Sequence, residues 1–301
     1  MTNGMVLVNK PEGMSSARVV NQVKKIFQVK KAGHTGTLDP FATGLLPVAL
    51  GQATRLSRFF LGGAKRYRAR VCLGVETDTY DRTGNIVSQA DPDSLAAIDP
   101  AGIQETAAGF RGKQLQVAPS FSALKHQGQP LYKLARQGKM IQKPARPIEI
   151  FSIRVTETNL PEFELDIHCS GGTYIRSLAH DMGVKLGCGA HLSALCRTGV
   201  SHFTLDQAHD LETLSGLPRD KCMVPMTDCL SFLPRIQADE ALAKKISYGG
   251  RLSDQDIRAC RIQLVPAPSP VRVMDSQNRL IAVIEADPNG TAYNYCCVFN
   301  V

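Results

Sequence analysis

Two consecutive segments with two-residue periodicity constrain the fold of this chain more than any other feature. Apolar and polar residues alternate in Pro-Ile-Glu-Ile-Phe-Ser-Ile-Arg-Val at 147–155 and in Phe-Glu-Leu-Asp-Ile-His-Cys at 163–169. Successive side chains of a strand point to opposite faces of a sheet, so this pattern is typical of strands that are buried on one side only. We therefore predict two half-buried β-strands within 147–169.

The beginning of the chain predicts a strand followed by a helix. Met5–Pro11 is largely apolar and runs into a Pro- and Gly-containing loop, which indicates a short buried strand. A helix capped by Ser15 or Ser16 should follow and end in the basic pair Lys30-Lys31 before Gly33. The apolar residues that recur at helical spacing in this helix are Val19, Val20, Val23, Ile26 and Phe27.

Later segments predict one more strand and one more helix in the main part of the chain. Tyr67–Leu73 has the alternation of a strand in its first half, and Tyr174–Leu186 has helical character and is closed by Gly187. Residues 75–99 are acidic and rich in turn formers. Residues 111–146 have weak periodicity with scattered Gly and Pro, so we predict an inserted arm with a short helix at Pro130–Arg136.

The last quarter of the chain predicts a separate β unit. Val271–Asp275 and Arg279–Glu285 flank the turn residues Ser-Gln-Asn, which is typical of a β-hairpin. We therefore divide the chain into a main domain at 1–235, with its insertion at about 111–146, and a small β domain at 236–301.

Basic charge is concentrated in two segments of the chain. Between Lys10 and Arg70 there are twelve Lys or Arg residues against only Glu12 and Asp39, and Arg111–Arg146 holds eight Lys or Arg and no acid. The formal net charge of the whole chain is only +8, so the remainder is acidic. Because neutralising phosphates releases counterions, such concentration favours a nucleic-acid partner.

Composition also excludes several classes of protein. No run approaches the roughly 18 consecutive apolar residues of a membrane span, and the first ten residues lack the pattern of a secretion signal, so we expect a cytoplasmic protein. The nine cysteines include no Cys-x-x-Cys pair and no His placed to complete a zinc site. We expect reduced, mostly core-filling cysteines, no metal and a monomer. The cysteines are Cys72, Cys169, Cys188, Cys196, Cys222, Cys229, Cys260, Cys296 and Cys297.

The most informative stretch for function is the glycine-rich segment Gly33–Pro47. Asp39 is the only acidic residue between Glu12 and Glu76, and it precedes Pro40, which favours an extended backbone at position 39. A lone carboxylate in a surface built for phosphates is electrostatically misplaced unless it has a task, although an Asp before Pro can also simply brace a turn. Gly33-x-x-Gly36 weakly suggests a nucleotide-binding turn, but the Gly-Lys-Ser or Gly-Lys-Thr ending of a P-loop is missing.

Taken with four other segments, Gly33–Pro47 resembles the catalytic motif of the tRNA pseudouridine-55 synthases of the bacterial TruB family. The other segments are Asn9–Ser16, Lys65-Arg66-Tyr67, Ala118–Lys125 followed by Tyr132-x-x-Ala135-Arg136-x-Gly138, and Ser170–Ala179 followed by Gly189–Leu192, Leu195 and Arg197. The resemblance spans about residues 5–235, and the order of the segments makes it specific. Ala118 departs from the pattern, since the family usually has a proline there.

The resemblance implies an α+β pseudouridine synthase fold. Its central sheet is mixed but largely antiparallel and flanked by helices and loops, and a PUA-like C-terminal β domain follows by family analogy alone. The reaction breaks the C–N glycosidic bond of a uridine, turns the uracil and rejoins it through C5 to the same ribose. Nothing is oxidised, hydrolysed or phosphorylated, so the resemblance implies no cofactor and no metal.

Three catalytic roles are implied by the resemblance. Asp39 would be the essential carboxylate, which can act covalently on ribose C1′ or uracil C6, or assist by removing a proton. Arg176 would be its partner, because a guanidinium a few ångströms away keeps a buried carboxylate charged. Tyr67 would stack on a uracil flipped out of the RNA.

The remaining implied roles are contacts with tRNA, through its T-arm. His34 would fill the space left by flipped nucleotides of the T-loop, and Leu195 would form an apolar wall of the pocket. Lys10 would support the active-site loop or bind backbone phosphates, with an exposed surface lysine as the alternative. Tyr174 belongs to the arginine motif, and the basic arm with Lys125 and Arg136 would clasp the T-arm.

Three other functions remain open from the sequence. An RNA-guided synthase shares the aspartate motif but takes its target from a guide RNA and partner proteins, and the long basic arm argues against that dependence. A non-enzymatic RNA-binding or tRNA-folding module would not need Asp39. A metal-dependent nuclease would use Asp78 and Asp81.

Overall fold

The computed structural model describes residues 2–258, 270–289 and 292–299. Its strands, numbered in chain order, are β1 Gly4–Lys10, β2 Ala32–His34, β3 Thr43–Leu50, β4 Lys65–Leu73, β5 Val75–Thr77, β6 Ile86–Gln89, β7 Gly112–Gln116, β8 Lys125–His126, β9 Gln129–Pro130, β10 Arg146–Asn159, β11 Glu162–Cys169, β12 Ala190–Val200, β13 Phe203–Thr204, β14 Met223–Pro225, β15 Arg235–Gln237, β16 Leu252–Ser253, β17 Val271–Met274, β18 Leu280–Ala286 and β19 Ala292–Val298.

Eleven α-helices connect these strands within the described residues. They are α1 Ser16–Phe27, α2 Ser57–Leu61, α3 Pro92–Ala96, α4 Pro100–Ala108, α5 Leu131–Ala135, α6 Ile175–Leu186, α7 Leu211–Gly216, α8 Arg219–Cys222, α9 Met226–Cys229, α10 Glu240–Ser247 and α11 Asp254–Arg258. Short 3-10 helices at Gly51–Leu56 and Leu205–Gln207 complete the set.

A single mixed sheet organises the main domain. Its strand order is β14-β1-β3-β12-β4-β11-β10-β7, with β2 paired to β3 and β13 paired to β12. All of these pairs are antiparallel except β3 with β12, which run parallel where Thr43 and Gly44 lie beside Cys196 and Arg197. The predicted α+β class with a mixed, largely antiparallel sheet is confirmed. The parallel pair brings the segment just before β3 next to the middle of β12.

The two strands predicted within 147–169 are β10 and β11, and they pair antiparallel. Their apolar side chains pack under α4 and α6, while the opposite face of this half of the sheet is exposed and carries Arg66 and Arg68. The alternation changes phase at Phe151-Ser152, and the pairing shifts register there, between Ile150 and Ser152. A bulge re-aims the following side chains, so both halves of β10 keep an apolar inner face.

Helix α1 begins as predicted but ends earlier. The Ser15 side chain accepts a hydrogen bond from the Arg18 backbone N–H and caps the helix. The helix stops at Phe27 because Gln28 adopts a left-handed φ of 53° and donates its N–H back to Lys24 and Lys25. Lys30 and Lys31 therefore lie in the loop that leads to β2.

Part of the predicted arm belongs to the main sheet. Strand β7 at its start pairs with the first residues of β10, so only residues 117–145 lie outside the sheet. This outer segment forms the β8–β9 hairpin and the short helix α5, close to the helix predicted at Pro130–Arg136. The helices α1 and α6 and the strands β1 and β4 also match the predicted segments within a few residues.

The C-terminal residues form the expected small β unit. Its five strands lie in the order β15-β17-β18-β19-β16, and the predicted hairpin is the β17–β18 pair. One side of this sheet has its own core with α10. The other side packs on the main domain, where Val283, Cys297 and Phe299 join Leu56 and Phe60 in one buried cluster.

Other expectations concern cysteines, metals and membranes. Eight cysteines are free thiols, and Cys260 lies outside the described residues. Across 2–258, 270–289 and 292–299 there is no group of three or more His, Cys, Asp or Glu side chains that could hold a metal ion. Nor does any helix in those ranges have the length and apolar character needed to cross a membrane.

Candidate active site

A cleft of about 290 Å³ opens beside the parallel strand pair, where five parts of the chain converge. These are the loop before β3, the segment from the end of α2 into β4, the arm, the start of α6 and the middle of β12. Asp39, Tyr67, Tyr174, Arg176 and Leu195, which come from four of these parts, all line this cleft. The fold therefore brings together the five site residues on which the predicted chemistry depends most.

Asp39 and Arg176 form a two-pronged ion pair at the base of the cleft. The Arg176 Nε donates to Asp39 Oδ2 at 2.8 Å, and Nη2 donates to Oδ1 at 3.2 Å. The Arg176 side chain is 4% exposed, whereas the Asp39 side chain is 34% exposed. The guanidinium thus holds the carboxylate in one orientation, while the carboxylate itself stays open to a ligand in the cleft.

Arg176 is fixed by partners on its other edges. Its Nη1 donates to the Thr79 carbonyl at 2.8 Å, and its Nη2 also donates to the Phe121 carbonyl at 2.9 Å. A second carboxylate, Asp81 Oδ2, lies 3.5 Å from Nη1 and is almost fully buried. Asp39 is therefore isolated in sequence but shares its guanidinium with another acid in the folded protein, which sequence reasoning missed.

The geometry separates Asp78 from Asp81, the two residues of the nuclease alternative. Asp78 accepts hydrogen bonds from the backbone and side-chain amide of Asn85 at 2.9 and 3.1 Å. Asp81 accepts from the hydroxyl of Thr79 and the backbone of Thr83, and faces Arg176. Asp78 and Asp81 are therefore held by different parts of the structure and share no partner among these contacts.

The backbone around Asp39 is held at successive residues by buried side chains. The Ser16 hydroxyl donates to the Leu38 carbonyl at 2.9 Å and accepts from the Leu38 N–H at 2.8 Å. The Lys10 ammonium donates to the carbonyls of Pro40, Pro11 and Met14 at 3.1, 2.9 and 2.7 Å. Burial lowers the pKa of Lys10 to about 8.

The surroundings of Lys10 decide between a buried and an exposed position for this side chain. Its side chain is fully buried and its three acceptors are backbone carbonyls, so it supports the active-site loop. The alternative of an exposed surface lysine is wrong. The physical reason is that two carbonyls of the turn after β1 and one of the loop before β3 point at this side chain, and a buried carbonyl needs a donor.

Arg197 supports the other end of the same loop and was given no role from the sequence. It is fully buried, and its guanidinium donates to the carbonyls of Leu45 at 2.8 Å, Gly36 at 3.1 Å and Thr37 at 3.4 Å. Burial lowers the pKa of Arg197 from its ordinary value, opposed by the neighbouring Tyr67. Hydrogen bonds from four side chains therefore hold this loop along its length, those of Arg197, Ser16, Arg176 and Lys10.

Gly44 allows β3 to lie close to Arg197 of β12. Its φ is +98°, and a Cβ at this position would lie 2.4 Å from the Arg197 carbonyl oxygen and 2.8 Å from the Arg197 nitrogen. Only glycine adopts this conformation without strain and leaves room for the neighbouring strand. The close approach of β3 and β12 therefore depends on residue 44.

Tyr67 and Leu195 form walls of the cleft. Tyr67 lies directly opposite Arg197 in the β4–β12 pairing and is 9% exposed, and Leu195 is 7% exposed. Burial raises the pKa of the Tyr67 hydroxyl above its ordinary value. Two residues before it, Lys65 also lines the cleft and donates to the carbonyls of Phe60, Leu61 and Gly63 at 2.7 to 2.8 Å. Burial lowers the pKa of Lys65 to about 8.

The other residues predicted to contact RNA differ in whether they line the cleft. Tyr174 lines the cleft with the Arg146 guanidinium 4.7 Å from its ring centre. His34 lies just outside the lining, half-buried, with Nδ1 accepting the Gly36 N–H at 3.3 Å, and burial lowers its pKa. Lys125 and Arg136 are exposed on the arm and do not line the cleft.

The fold agrees with solved structures of one enzyme class. The chain matches a Cbf5 chain of a Cbf5-Nop10-Gar1 complex with a TM-score of 0.75 and 26% identity, over 99% of this chain and 85% of that one. It matches a chain of an H/ACA RNP bound to a substrate RNA containing 2′-deoxyuridine with a TM-score of 0.74 and 26% identity, over the same shares of the two chains. The fold and the cleft define a pseudouridine synthase.

Sequence comparison identifies the family within this class. Residues 24–175 match the N-terminal domain of the TruB family of pseudouridylate synthases, and residues 176–230 match the tRNA pseudouridylate synthase B C-terminal domain. The chain is 42% identical to the tRNA pseudouridine synthase B of Chromohalobacter salexigens, over 83% of this chain and 81% of that one. Identity to the same enzyme of Mannheimia succiniciproducens is 39%, over 94% and 92% of the two chains. The chain belongs to the TruB family, which confirms the predicted resemblance.

Proposed function

We propose that this protein converts uridine 55 in the T-loop of tRNA to pseudouridine, with Asp39 as the essential carboxylate. The observation that carries the proposal is the Asp39–Arg176 pair, in which the partner is buried and the carboxylate faces an open cleft. The names of the relatives, tRNA pseudouridine synthase B, support tRNA as the substrate.

The size and walls of the cleft suit one flipped base. Its volume of about 290 Å³ is at the small end of ligand pockets, and Tyr67 and Leu195 supply an aromatic and an apolar wall. A duplex or a folded loop cannot enter such a space, so the target nucleotide must leave its stack. A base held between these two walls can turn over without breaking hydrogen bonds to them.

Asp39 would act on the reacting atoms of that nucleotide. The glycosidic C1′–N1 bond breaks, uracil rotates, and a C1′–C5 bond forms, after which C5 loses its proton and N1 gains one. The carboxylate can bond C1′ or C6 transiently, or take the C5 proton, and each route requires its ionised form. The pair with Arg176 holds the carboxylate in one orientation and leaves it open to the cleft. The reaction as written needs no metal and no cofactor.

The arm is proposed to hold the T-arm over the cleft. Residues 117–145 carry Lys125, Lys133, Arg136, Lys139 and Lys143 and no acid, and Ser122–Leu124 already line the cleft. Phosphate contacts from such an arm add affinity and orientation, while the shape of the folded loop selects the site. We also propose that the protein acts as a cytoplasmic monomer.

The decisive experiment uses the purified protein and an unmodified tRNA transcript with tritium at uridine C5. We expect one tritium released per tRNA, pseudouridine mapped to position 55, and the same rate in the presence of EDTA. Asp39→Asn should bind tRNA normally and release nothing. Asp166→Asn, which alters an exposed carboxylate on the open face of the sheet, is the matched control and should retain full activity.

The outcomes separate the competing functions. Product at another position would contradict the assigned specificity, and activity only after addition of a guide RNA and proteins would favour the RNA-guided alternative. The structural neighbours come from such ribonucleoprotein complexes, but at 26% identity against 42% for the TruB relative. A wild-type protein that binds tRNA but releases no tritium would favour a non-enzymatic RNA-binding module, and full activity of Asp39→Asn would show that Asp39 is not the essential carboxylate.

A further inference from the structure

The far side of the Arg176 guanidinium rests on a three-residue segment, Thr79-Tyr80-Asp81. The Thr79 carbonyl accepts from Nη1 at 2.8 Å, and Asp81 Oδ2 lies 3.5 Å from the same nitrogen. Because these two contacts flank residue 80, the backbone conformation at Tyr80 decides whether both oxygens face Arg176 at once.

Tyr80 has an uncommon backbone conformation for an aromatic residue. Its φ is +61°, in the left-handed region that residues with a Cβ rarely adopt, and it is the only aromatic residue with a positive φ in the described ranges. Backbone bonds hold it on both sides: its N–H donates to the Thr77 carbonyl at 3.1 Å, and its carbonyl accepts from Leu192 at 3.0 Å. Such a conformation persists only where surrounding contacts over-determine it.

The Tyr80 side chain supplies one of those contacts. Its ring stacks on the His180 ring with centroids 4.0 Å apart and an interplanar angle of 11°. His180 lies on α6 one helical turn after Arg176, so the stack ties the segment to the helix that carries the guanidinium. On its other side, His180 Nδ1 approaches Glu76 Oε1 of β5 at 3.2 Å.

We propose that the Tyr80–His180 stack is a positioning device for the active site. It holds Thr79-Tyr80-Asp81 against α6, which fixes the Arg176 guanidinium and, through it, the orientation of the Asp39 carboxylate. Tyr80 and His180 do not line the cleft and so are positioning residues, not catalytic ones. This inference rests on the proposed function of the Asp39–Arg176 pair.

The alternative hypothesis is that the stack contributes only to the global stability of the protein, and it predicts a different result. Loss of the ring would then lower the folded fraction and reduce activity in proportion, with no change per folded molecule. A positioning role instead predicts a slower chemical step in folded protein, with unchanged tRNA affinity, because the guanidinium and carboxylate are misplaced. Displacements of about 1 Å in an active site cost up to about 100-fold in rate.

The test is single-turnover tritium release at saturating enzyme, with the tRNA Kd and the melting temperature measured for each variant. We expect Tyr80→Ala to be at least about tenfold slower with Kd within about twofold. Tyr80→Phe keeps the ring and should retain the wild-type rate. Tyr80→Asn tolerates the left-handed backbone but lacks the ring, so it should be as slow as Tyr80→Ala.

A double-mutant cycle tests the pair itself. Because both rings act through one contact, Tyr80→Ala with His180→Ala should be no slower than the slower single variant. Phe151→Ala is the matched control, since the Phe151 ring packs against the His168 ring on the open face of the sheet, with centroids 4.9 Å apart and the rings tilted by 56°, and its loss should leave the rate unchanged.

Wild-type single-turnover rates in Tyr80→Ala, or rates that follow only the folded fraction or the tRNA affinity, would overturn the positioning role. So would additive effects of the two alanine substitutions. Failure of the proposed function is distinguishable, because it would appear as an inactive wild-type protein or an active Asp39→Asn variant in the same assay.

Discussion

Arg176 meets Asp39 with two N–H···O bonds, of 2.8 and 3.2 Å, although 137 residues separate them in the chain. The same guanidinium binds the carbonyls of Thr79 and Phe121 and approaches Asp81. One side chain thus joins the carboxylate loop, the segment after β5 and the base of the arm. Its geometry, and not its charge alone, should set the rate.

Arg176→Lys tests geometry against charge. Lysine keeps the positive charge but cannot make the planar two-pronged contact or reach three further oxygens. We expect the single-turnover rate to fall by about 100-fold or more, with tRNA affinity little changed. Arg176→Met should also lower the free energy of unfolding by about 3 to 5 kcal/mol, because it leaves the buried Asp81 carboxylate without its counter-charge. A lysine variant with the wild-type rate would show that charge is sufficient.

Lys10→Met tests the loop support through its pH dependence. Burial lowers the pKa of Lys10 from its ordinary value of 10.5 to about 8 in the folded protein, so the unfolded chain holds this proton more tightly. Stability from this group is therefore gained as the pH rises from 8 to 10.5 and lost as it falls. Lys10→Met should show a smaller gain over that window in urea unfolding. Lys133→Met, on the exposed arm, should keep the wild-type gain.

Gly44→Ala tests the close approach of β3 and β12. The added Cβ meets backbone atoms of Arg197 at 2.4 and 2.8 Å and also imposes a strained φ. We expect a loss of at least about 2 kcal/mol in the free energy of unfolding, measured by denaturant titration. Gly33→Ala is the control, since nothing lies within 4 Å of its added Cβ. Equal stability of the two variants would contradict the packing described for the parallel pair.

Lys125→Ala and Arg136→Ala test the arm as an electrostatic clasp. Both side chains are exposed and lie outside the cleft lining, so the chemical step should be unchanged while the tRNA Kd rises. If each contacts one phosphate, the slope of log affinity against log salt should fall by about one per residue. Binding that weakens without a change in salt slope would indicate loss of arm structure instead.

The sequence predicted most of the secondary structure because local patterns specify it. The alternation in 147–169 reports which face of β10 and β11 is buried, and Ser15 is a cap that satisfies local N–H groups. The early end of α1 was missed because the left-handed turn at Gln28 has no glycine to mark it. The alternation within β10 was noted, but its change of phase at Phe151-Ser152 marked a bulge that only the pairing reveals.

The site was predictable only in part. Asp39, Arg176 and Tyr67 were assigned through ordered motifs, and the structure brings them into one cleft. Lys65 and Arg197 were missed as site residues, and Asp81 was considered only for the nuclease alternative, because their roles depend on burial beside carbonyls or a guanidinium from distant segments. A charged residue that bonds backbone carbonyls in a core looks the same in sequence as one on the surface. Lys10 shows the ambiguity, since both readings were open until its three acceptors were located.

The way the C-terminal sheet packs on Leu56 and Phe60 limits what deletion experiments can reveal. Cutting the chain at 235 would strip Val283, Cys297 and Phe299 from this shared cluster and the Val298 carbonyl from Arg55. The truncated protein would expose an apolar surface next to α2. The last residue of this helix, Leu61, lines the cleft. A drop in turnover would then report damage to the fold around the cleft, so single replacements on the outer side of that sheet are the better test of what this unit contributes.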